Sequence, residues 1–419
     1  MLRLNLQFRN LRKLKFFAII KQYKKAIGDC VNISYEPLWN LLKSRNMNKK
    51  DLLEKANLTT NCIANMGKNE YISLRNIEKI CEALQCNVEQ VISFKKYEGN
   101  DMLKFFDFCS GIGGGRIGLE NNGLECVGHC EIDEKTAETY KLFFDDGRNF
   151  GDLTKVDIDK LPNFDFMIAG FPCQTFSIVG KRAGFEDERG QIIYSLIEIM
   201  KQKKVKYFIL ENVKGLINHD KGNTFKTIKE ALENIGYNIY YKVLNSLDFG
   251  VPQIRERIYI VGFKKGYDNG MFEFPINNLS NKDFSWFIDE DNNLELDILD
   301  KTFQKYLANK YNQNKIANEQ VLSLENYVID WRQSDLRKYD KIFPTLRAGR
   351  HGLLYIRNGK IKKLSGYEAL LLQGFPKDIA EKVKQNGLNN NKVLSQAGNA
   401  MTVNVIDAIA KAMIKNIRG

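Results

Sequence analysis

Little in this chain can hold a metal ion or build a disulfide framework. Its 419 residues include three histidines and eight cysteines, and no two cysteines form a C-x-x-C pair. Thiols scattered this way in a long chain are expected to be small core hydrophobes, with neither structural zinc nor disulfides. No run of about 18 apolar residues is present, so no membrane span is expected. The apolar patch Phe16-Phe17-Ala18-Ile19-Ile20 is too short for the core of a secretory leader and lacks a small-residue cleavage site. A soluble, cytoplasmic protein is the expectation. There is no internal repeat and no long low-complexity segment. Acid is missing altogether from Met1 to Gly28, which carries eight basic residues, and residues 1–100 hold 18 Lys and Arg against nine Asp and Glu. Most of the formal charge of +12 is therefore a basic arm over residues 1–30. The arm reads as a tail or an upstream translation start rather than a phosphate clamp.

What is present is an ordinary globular balance, 43% hydrophobic and 27% charged, over a length that suits two or three domains. From Ser34 to Phe94 the periodicity predicts short amphipathic helices over Pro37–Arg45, Lys49–Ala56, Thr59–Gly67, Ser73–Leu84 and Val88–Ser93. The stretch Lys49 to Lys68, with Leu52, Leu53, Ala56, Leu58, Ile63 and Met66 at its apolar positions, resembles a helix-turn-helix of the Cro and phage-repressor type. That resemblance implies an all-α domain over residues 31–98. Its second motif helix would present Thr59, Thr60 and Asn61, with Ala64 and Asn65, to a DNA major groove. Residues 29–100 are nearly neutral, ten basic against nine acidic, which keeps open simple packing or a dimer through this domain.

After the polar stretch Lys95–Asp101 the rhythm changes. Compact apolar runs (Leu103–Phe108, Cys126–Cys130, Phe164–Ala169, Tyr207–Leu210, Ile258–Phe263) alternate with helical stretches, the pattern of an α/β sheet covered on both faces. Between Pro275 and Gly366 the sequence turns Asn- and Lys-rich with weak periodicity. A smaller inserted domain over 276–366 is expected there, with the main α/β domain formed by 101–275 and 367–419.

Two clusters carry chemistry. In the first, the buried run ending Asp107-Phe108-Cys109-Ser110 opens into Gly111-Ile112-Gly113-Gly114-Gly115 and a helix, a loop that lets a ligand approach backbone amides. Twenty residues beyond Gly111 stands Glu131, placed to hold ribose hydroxyls, and Asp152 could accept from an adenine amino group. A dinucleotide fits poorly, because its fingerprint needs glycine where Arg116 stands. In the second, Gly170-Phe171-Pro172-Cys173-Gln174-Thr175-Phe176-Ser177 follows a strand, and the next strand ends in Glu211-Asn212-Val213. The pair Arg255 and Arg257 enters a further strand.

The order and wording of these segments, continued by Pro344-Thr345-Leu346-Arg347, Gln373-Gly374-Phe375-Pro376 and Gly398-Asn399-Ala400-Met401-Thr402, are similar to the blocks of DNA (cytosine-5)-methyltransferases of the bacterial restriction-modification type. The similarity covers Met102 to Gly419. It implies a Rossmann-like α/β sheet dependent on S-adenosyl-L-methionine, with residues 276–366 as a target-recognition domain. It also implies that Cys173 adds to C6 of a cytosine flipped out of duplex DNA, since C5 is a poor nucleophile until a thiolate has added. Glu211 would donate to the ring, Arg257 hold O2, Arg255 order a loop or a phosphate, and Asn399 position the Cys173 loop. Asp107, Phe108, Cys109, Gly111, Gly113, Gly114, Glu131, Ile132, Asp152 and Pro172 would hold the cofactor. Gln174, Ser177 and Arg189 would meet DNA around the flipped base. Arg332, Arg337, Arg347, Arg350 and His351 are candidates for reading sequence.

Two departures stand out: Cys109 occupies a position commonly aromatic in that family and Ile132 one that is often tryptophan, which implies a reshaped adenine slot. The partners implied are double-stranded DNA and, functionally rather than physically, a cognate restriction endonuclease, with a monomeric enzyme half. The alternatives are a tRNA cytosine-5 methyltransferase, whose Pro-Pro-Cys block differs from Phe171-Pro172-Cys173, and a DNA-binding regulator with an inactive enzyme half.

Overall fold

The computed structural model describes residues 31–67, 72–96, 102–172, 191–276, 283–312, 316–332, 336–349 and 351–418. The chain divides into two compact units between Met102 and Leu103.

The first unit runs β1 (Val31–Ser34), α1 (Glu36–Ser44), α2 (Lys49–Lys55), α3 (Thr60–Gly67), α4 (Leu74–Leu84) and β2 (Ser93–Lys96). Helix starts follow from capping. The Asn48 side chain accepts from the Lys50 and Asp51 amides while Asp51 returns a carboxylate to the Asn48 amide, and Ser73 accepts from Asn76. Asn57 turns the chain between α2 and α3 at φ +46°, a conformation asparagine tolerates better than most residues. Leu38, Leu52, Met66 and Ile80 are fully buried and join the helices. The all-α expectation needs one correction: β1 and β2 pair antiparallel from Val31↔Lys96 to Ser34↔Ser93, and the last expected helix shrinks to a 3-10 turn over Val88–Gln90. Four-residue strands are too short to betray a period of two in sequence.

In the second unit the central strands are β3 (Lys104–Phe108), β4 (Glu125–Cys130), β5 (Phe166–Gly170), β6 (Tyr207–Val213), β7 (Tyr237–Asn245) and, after the short β8 (Gln253–Ile254), β9 (Glu256–Lys264). Their order is β4-β3-β5-β6-β9-β7, parallel through the first four and antiparallel at β9 and β7. Alternate residues face opposite sides. Phe106, Phe108, Met167, Ala169, Phe208 and Leu210 pack under α7 (Gln191–Gln202) and α8 (Asn223–Asn234), helices that follow α5 (Gly114–Glu120) and α6 (Glu134–Phe144) in the chain. Phe105, Phe166, Ile168 and Ile209 pack on the other face, largely under the C-terminal helix.

Before that helix comes a smaller antiparallel sheet, ordered β10-β15-β14-β11-β12. It comprises β10 (Glu295–Leu296), β11 (Tyr327–Asp330), β12 (Arg337–Asp340), β14 (Leu353–Arg357) and β15 (Lys360–Lys363), with α9 (Lys301–Leu307) between β10 and β11. The intervening β13 (Phe343–Pro344) leaves this sheet and pairs in parallel with β8. Four helices then close the unit: α10 (Gly366–Leu372), α11 (Lys377–Gln385), α12 (Asn390–Asn399) and α13 (Val403–Arg418). The Asn122 amide on the turn after α5 donates to both the Asp407 carbonyl and its carboxylate, which fixes α13 against α5.

Candidate active site

Strand order reverses between β3 and β5, and at such a switch the carboxyl ends of the strands leave a crevice. A cavity of about 760 Å³ lies there, walled by Cys109, Gly111, Glu131, Ile132, Asp152, Pro172, Glu211, Asn212, Arg255, Arg257 and Asn399, among others. One continuous cavity thus joins the two chemical clusters, which are separate stretches of the sequence.

On the side of the glycine loop, Glu131 accepts from the Gly111 amide at 2.9 Å through one oxygen and from the Asp133 amide at 2.9 Å through the other, so it locks the loop to the start of α6. Burial raises its pKa, with the backbone donors opposing. Asp107 is wholly buried behind the loop, and neither carboxylate oxygen has a hydrogen-bond partner among the described residues. Burial pushes this carboxyl well above the ordinary range, against the pull of the Arg116 cation. An orphaned buried carboxyl is costly unless a ligand or a proton satisfies it. Asp152 differs: burial would raise it, but hydrogen bonds from the Thr154 amide and hydroxyl, with Lys155 nearby, hold it below the usual value.

Besides the buried Asp107, three expected cofactor residues are not part of the cavity wall. Phe108 is fully buried and stacks on Phe106 at 4.4 Å. Gly113 sits at φ +85° where a Cβ would fall 2.2 Å from the Phe144 ring, and a Cβ on Gly114 would fall 2.3 Å from the Met401 carbonyl oxygen. Glycine at these two positions is required by packing. Cys109, at φ +49°, and Ile132, 71% exposed, stand where the reshaped slot was expected.

Across the cavity, Glu211 ends β6 almost buried, with Oε1 3.2 Å from Arg257 Nε. This is a close ion pair, though the angles make no hydrogen bond for that oxygen. Antiparallel pairing of Val213 with Arg257 puts the two side chains at one end of the sheet. Sequence reading missed Asn212, whose amide donates to the Phe171 carbonyl at 2.9 Å and so fixes the backbone two residues before Cys173. Cys173 itself, Gln174, Ser177, Arg189 and Arg350 lie outside the described residues.

Arg255 is 2% exposed and donates to three backbone carbonyls: Leu346 at 3.3 Å, Gly398 at 3.1 Å and Ala400 at 2.8 Å. Burial and the neighbouring Arg257 cation both press its pKa down. Its place in the catalytic set is therefore corrected to that of a positioning residue, because both terminal nitrogens of its guanidinium donate to backbone carbonyls, two of which flank Asn399, while the buried Nε has no partner among the described residues. Gly398 allows the same junction, since a Cβ there would lie 2.5 Å from the Ala348 amide. Gln253, Gln373 and Thr402, all fully buried, complete the knot through Leu372, Leu346 and Ala397. Arg255→Met strands three buried acceptors, and urea unfolding should show a loss of about 3 kcal/mol. An unchanged midpoint would contradict the knot.

Among the sequence-reading candidates, Arg332 is removed. Its guanidinium grips Asp330 through two bonds at 2.8 Å and donates to the Thr345 carbonyl, so it braces the loop instead of reaching DNA. His351 shares a 3.1 Å contact with Ser395. Arg347 is exposed and adjoins Gly398 beside Asn399. In the first unit, Thr59, Thr60 and Asn61 are exposed at the start of α3.

Residues 103–415 match the family described as C-5 cytosine-specific DNA methylase, and residues 37–96 match the Cro/C1-type HTH DNA-binding domain. The type II methyltransferase M.NgoBI of Neisseria gonorrhoeae is 38% identical over 313 residues, covering 74% of this chain and 92% of the relative. The type II methyltransferase M1.ScrFI of Lactococcus lactis subsp. cremoris is 32% identical over 380 residues, covering 88% of this chain and 92% of the relative. In fold, the solved Entamoeba histolytica methyltransferase EhMeth aligns with a TM-score of 0.57 at 16% identity, over 76% of this chain and 100% of that one.

Proposed function

The chain belongs to the C-5 cytosine-specific DNA methylase family, as a DNA (cytosine-5-)-methyltransferase, and we propose that it modifies one short sequence of duplex DNA for a restriction-modification system with Cys173 as covalent nucleophile. The observation that carries this reading is the one cavity lined by Glu211, Arg257 and Asn399, by Phe171 and Pro172 of the segment leading into Cys173, and by the glycine loop. The relatives M.NgoBI and M1.ScrFI are named as type II methyltransferases, which supports the restriction-modification setting.

The residues fit S-adenosyl-L-methionine. Asp107 offers, behind the glycine loop, a buried carboxyl that no described residue satisfies, while Glu131 and Asp152 line the cavity as acceptors for hydroxyl and amino groups. When bound, this cofactor supplies a methyl group on a positively charged sulfur. The chain's own residues do the rest. The Cys173 thiolate adds to C6 of a flipped cytosine and a proton from Glu211 reaches N3, so the ring gains no net charge and C5 becomes a carbon nucleophile. Arg257 holds O2 and orients Glu211. Loss of the C5 proton after methylation lets the C6–sulfur bond break and restores the aromatic ring. Flipping is needed because stacking covers both ring faces inside a duplex.

The recognition role falls to the small sheet and to Arg347 and Arg350. No helix among the described residues is long and apolar enough to cross a membrane, and we place the protein in the cytoplasm, its DNA-modifying half a monomer. Labelled methyl should enter duplex DNA and not tRNA. Incorporation into tRNA alone would replace this reading with the RNA one. The helix-turn-helix match supports a second role, repression of the gene's own promoter. A gel shift with that promoter fragment and the full-length chain should show retention, and an unshifted fragment would set autoregulation aside.

A further inference from the structure

The exposed face of α3 has a chemistry of its own. Between Thr59 and Gly67 there is no Arg, Lys, Asp or Glu. Cys62 and Met66 turn into the core of the first unit, leaving Thr60, Asn61 and Ala64 exposed and Asn65 half-buried. Thr59 is committed to the helix start, its hydroxyl accepting from the Cys62 amide. The cations stand to the sides. Lys49 and Lys50 are exposed in the first turn of α2, with Lys49 Nζ 3.8 Å from where a Cβ of Gly67 would lie, and Arg75 is exposed just after the cap of α4.

Base edges in the major groove sort by partner. Guanine is read by the two donors of Arg or by Lys, and the cytosine amino group by Asp or Glu. Adenine is read by the paired donor and acceptor of an Asn or Gln amide, and the thymine methyl by small apolar groups such as the Ala side chain or the Thr methyl. The α3 face holds only the second pair of partners, with cations placed beside it for phosphates. We propose that the first unit reads a duplex segment built of A·T pairs, with Asn61 on adenine and Thr60 and Ala64 against thymine methyls. It would therefore recognise a different sequence from the cytosine-containing site that the second unit modifies. This inference rests on the reading that the first unit binds DNA through α3.

Selection from a pool of random duplexes with the full-length chain, without methyl donor, tests it. Two enriched motifs are expected: one containing the target cytosine and one of A·T pairs. Asn61→Ala should weaken binding to the A·T duplex by roughly tenfold to a hundredfold. Its unfolding midpoint should hold, because Asn61 is exposed and alanine is the better helix former. A second motif centred on G·C pairs, or an A·T motif that survives Asn61→Ala, would overturn the inference while leaving DNA binding by this unit intact. Enrichment of the cytosine motif alone would overturn the DNA-binding reading of the unit, and this inference with it.

Discussion

Cys173→Ala should leave no turnover above background, a loss on the order of 10⁴-fold to 10⁶-fold of the kind seen when a covalent nucleophile is removed. The reason is chemical. Without addition at C6 the C5 carbon does not become nucleophilic, and no other group in the cavity can take over. Among the described residues Cys109 and Cys130 line it, but burial pushes both thiols up, Cys130 to about 12, so neither supplies a thiolate near neutral pH. The same argument predicts a covalent signature. In duplex DNA carrying 5-fluorocytosine the C5 substituent cannot leave as a proton, so release of the enzyme is blocked after methylation. Wild-type protein with cofactor should form a DNA complex that survives detergent denaturation, and Cys173→Ala should form none. A complex that persists in the variant would place the nucleophile elsewhere.

Glu211→Gln is the second large effect. Glutamine preserves the shape beside Arg257 but has no acidic proton to give, so charge developing on the ring as sulfur adds is no longer relieved at N3. A fall in kcat of roughly 10²-fold to 10⁴-fold is expected, the usual range for a positioned general acid. KM for DNA should move far less, because the recognition sheet and its contacts are untouched. Single-turnover kinetics separates the two. A fall smaller than about tenfold, or one confined to KM, would remove Glu211 from the proton-transfer role.

Much of this fold can be read in the chain, and the parts that cannot share a physical cause. The parallel strands announce themselves because burial on both faces demands continuous apolar runs such as Phe166 to Ala169 and Tyr207 to Leu210. The first unit is equally legible, since helical period and caps at Asn48 and Ser73 agree. Strand β7 was missed: at the sheet edge its residues from Asn238 to Val243 are half-buried or exposed, which erases any clear alternation. In the small sheet the edge strand β12 was hidden for the same reason, with Arg337, Lys338 and Asp340 exposed.

In the site, residue types and the family resemblance pointed to Glu211, Arg257 and Asn399, which line one cavity, but not to what holds them. Arg255 meets carbonyls 91 to 145 residues away, and Gln253 meets the Leu372 carbonyl 119 residues away. Such contacts have no local signature. Arg332 shows the converse error. An arginine in a variable stretch suggested a base contact, whereas Asp330, two residues earlier, takes its guanidinium.

The central claim is site-specific cytosine methylation, and bisulfite sequencing of plasmid DNA from a host without its own cytosine methylation tests it most directly. With this gene expressed, cytosines inside one short sequence should resist conversion, and all should convert with Cys173→Ala. Complete conversion in cells that contain the soluble wild-type protein would contradict the account.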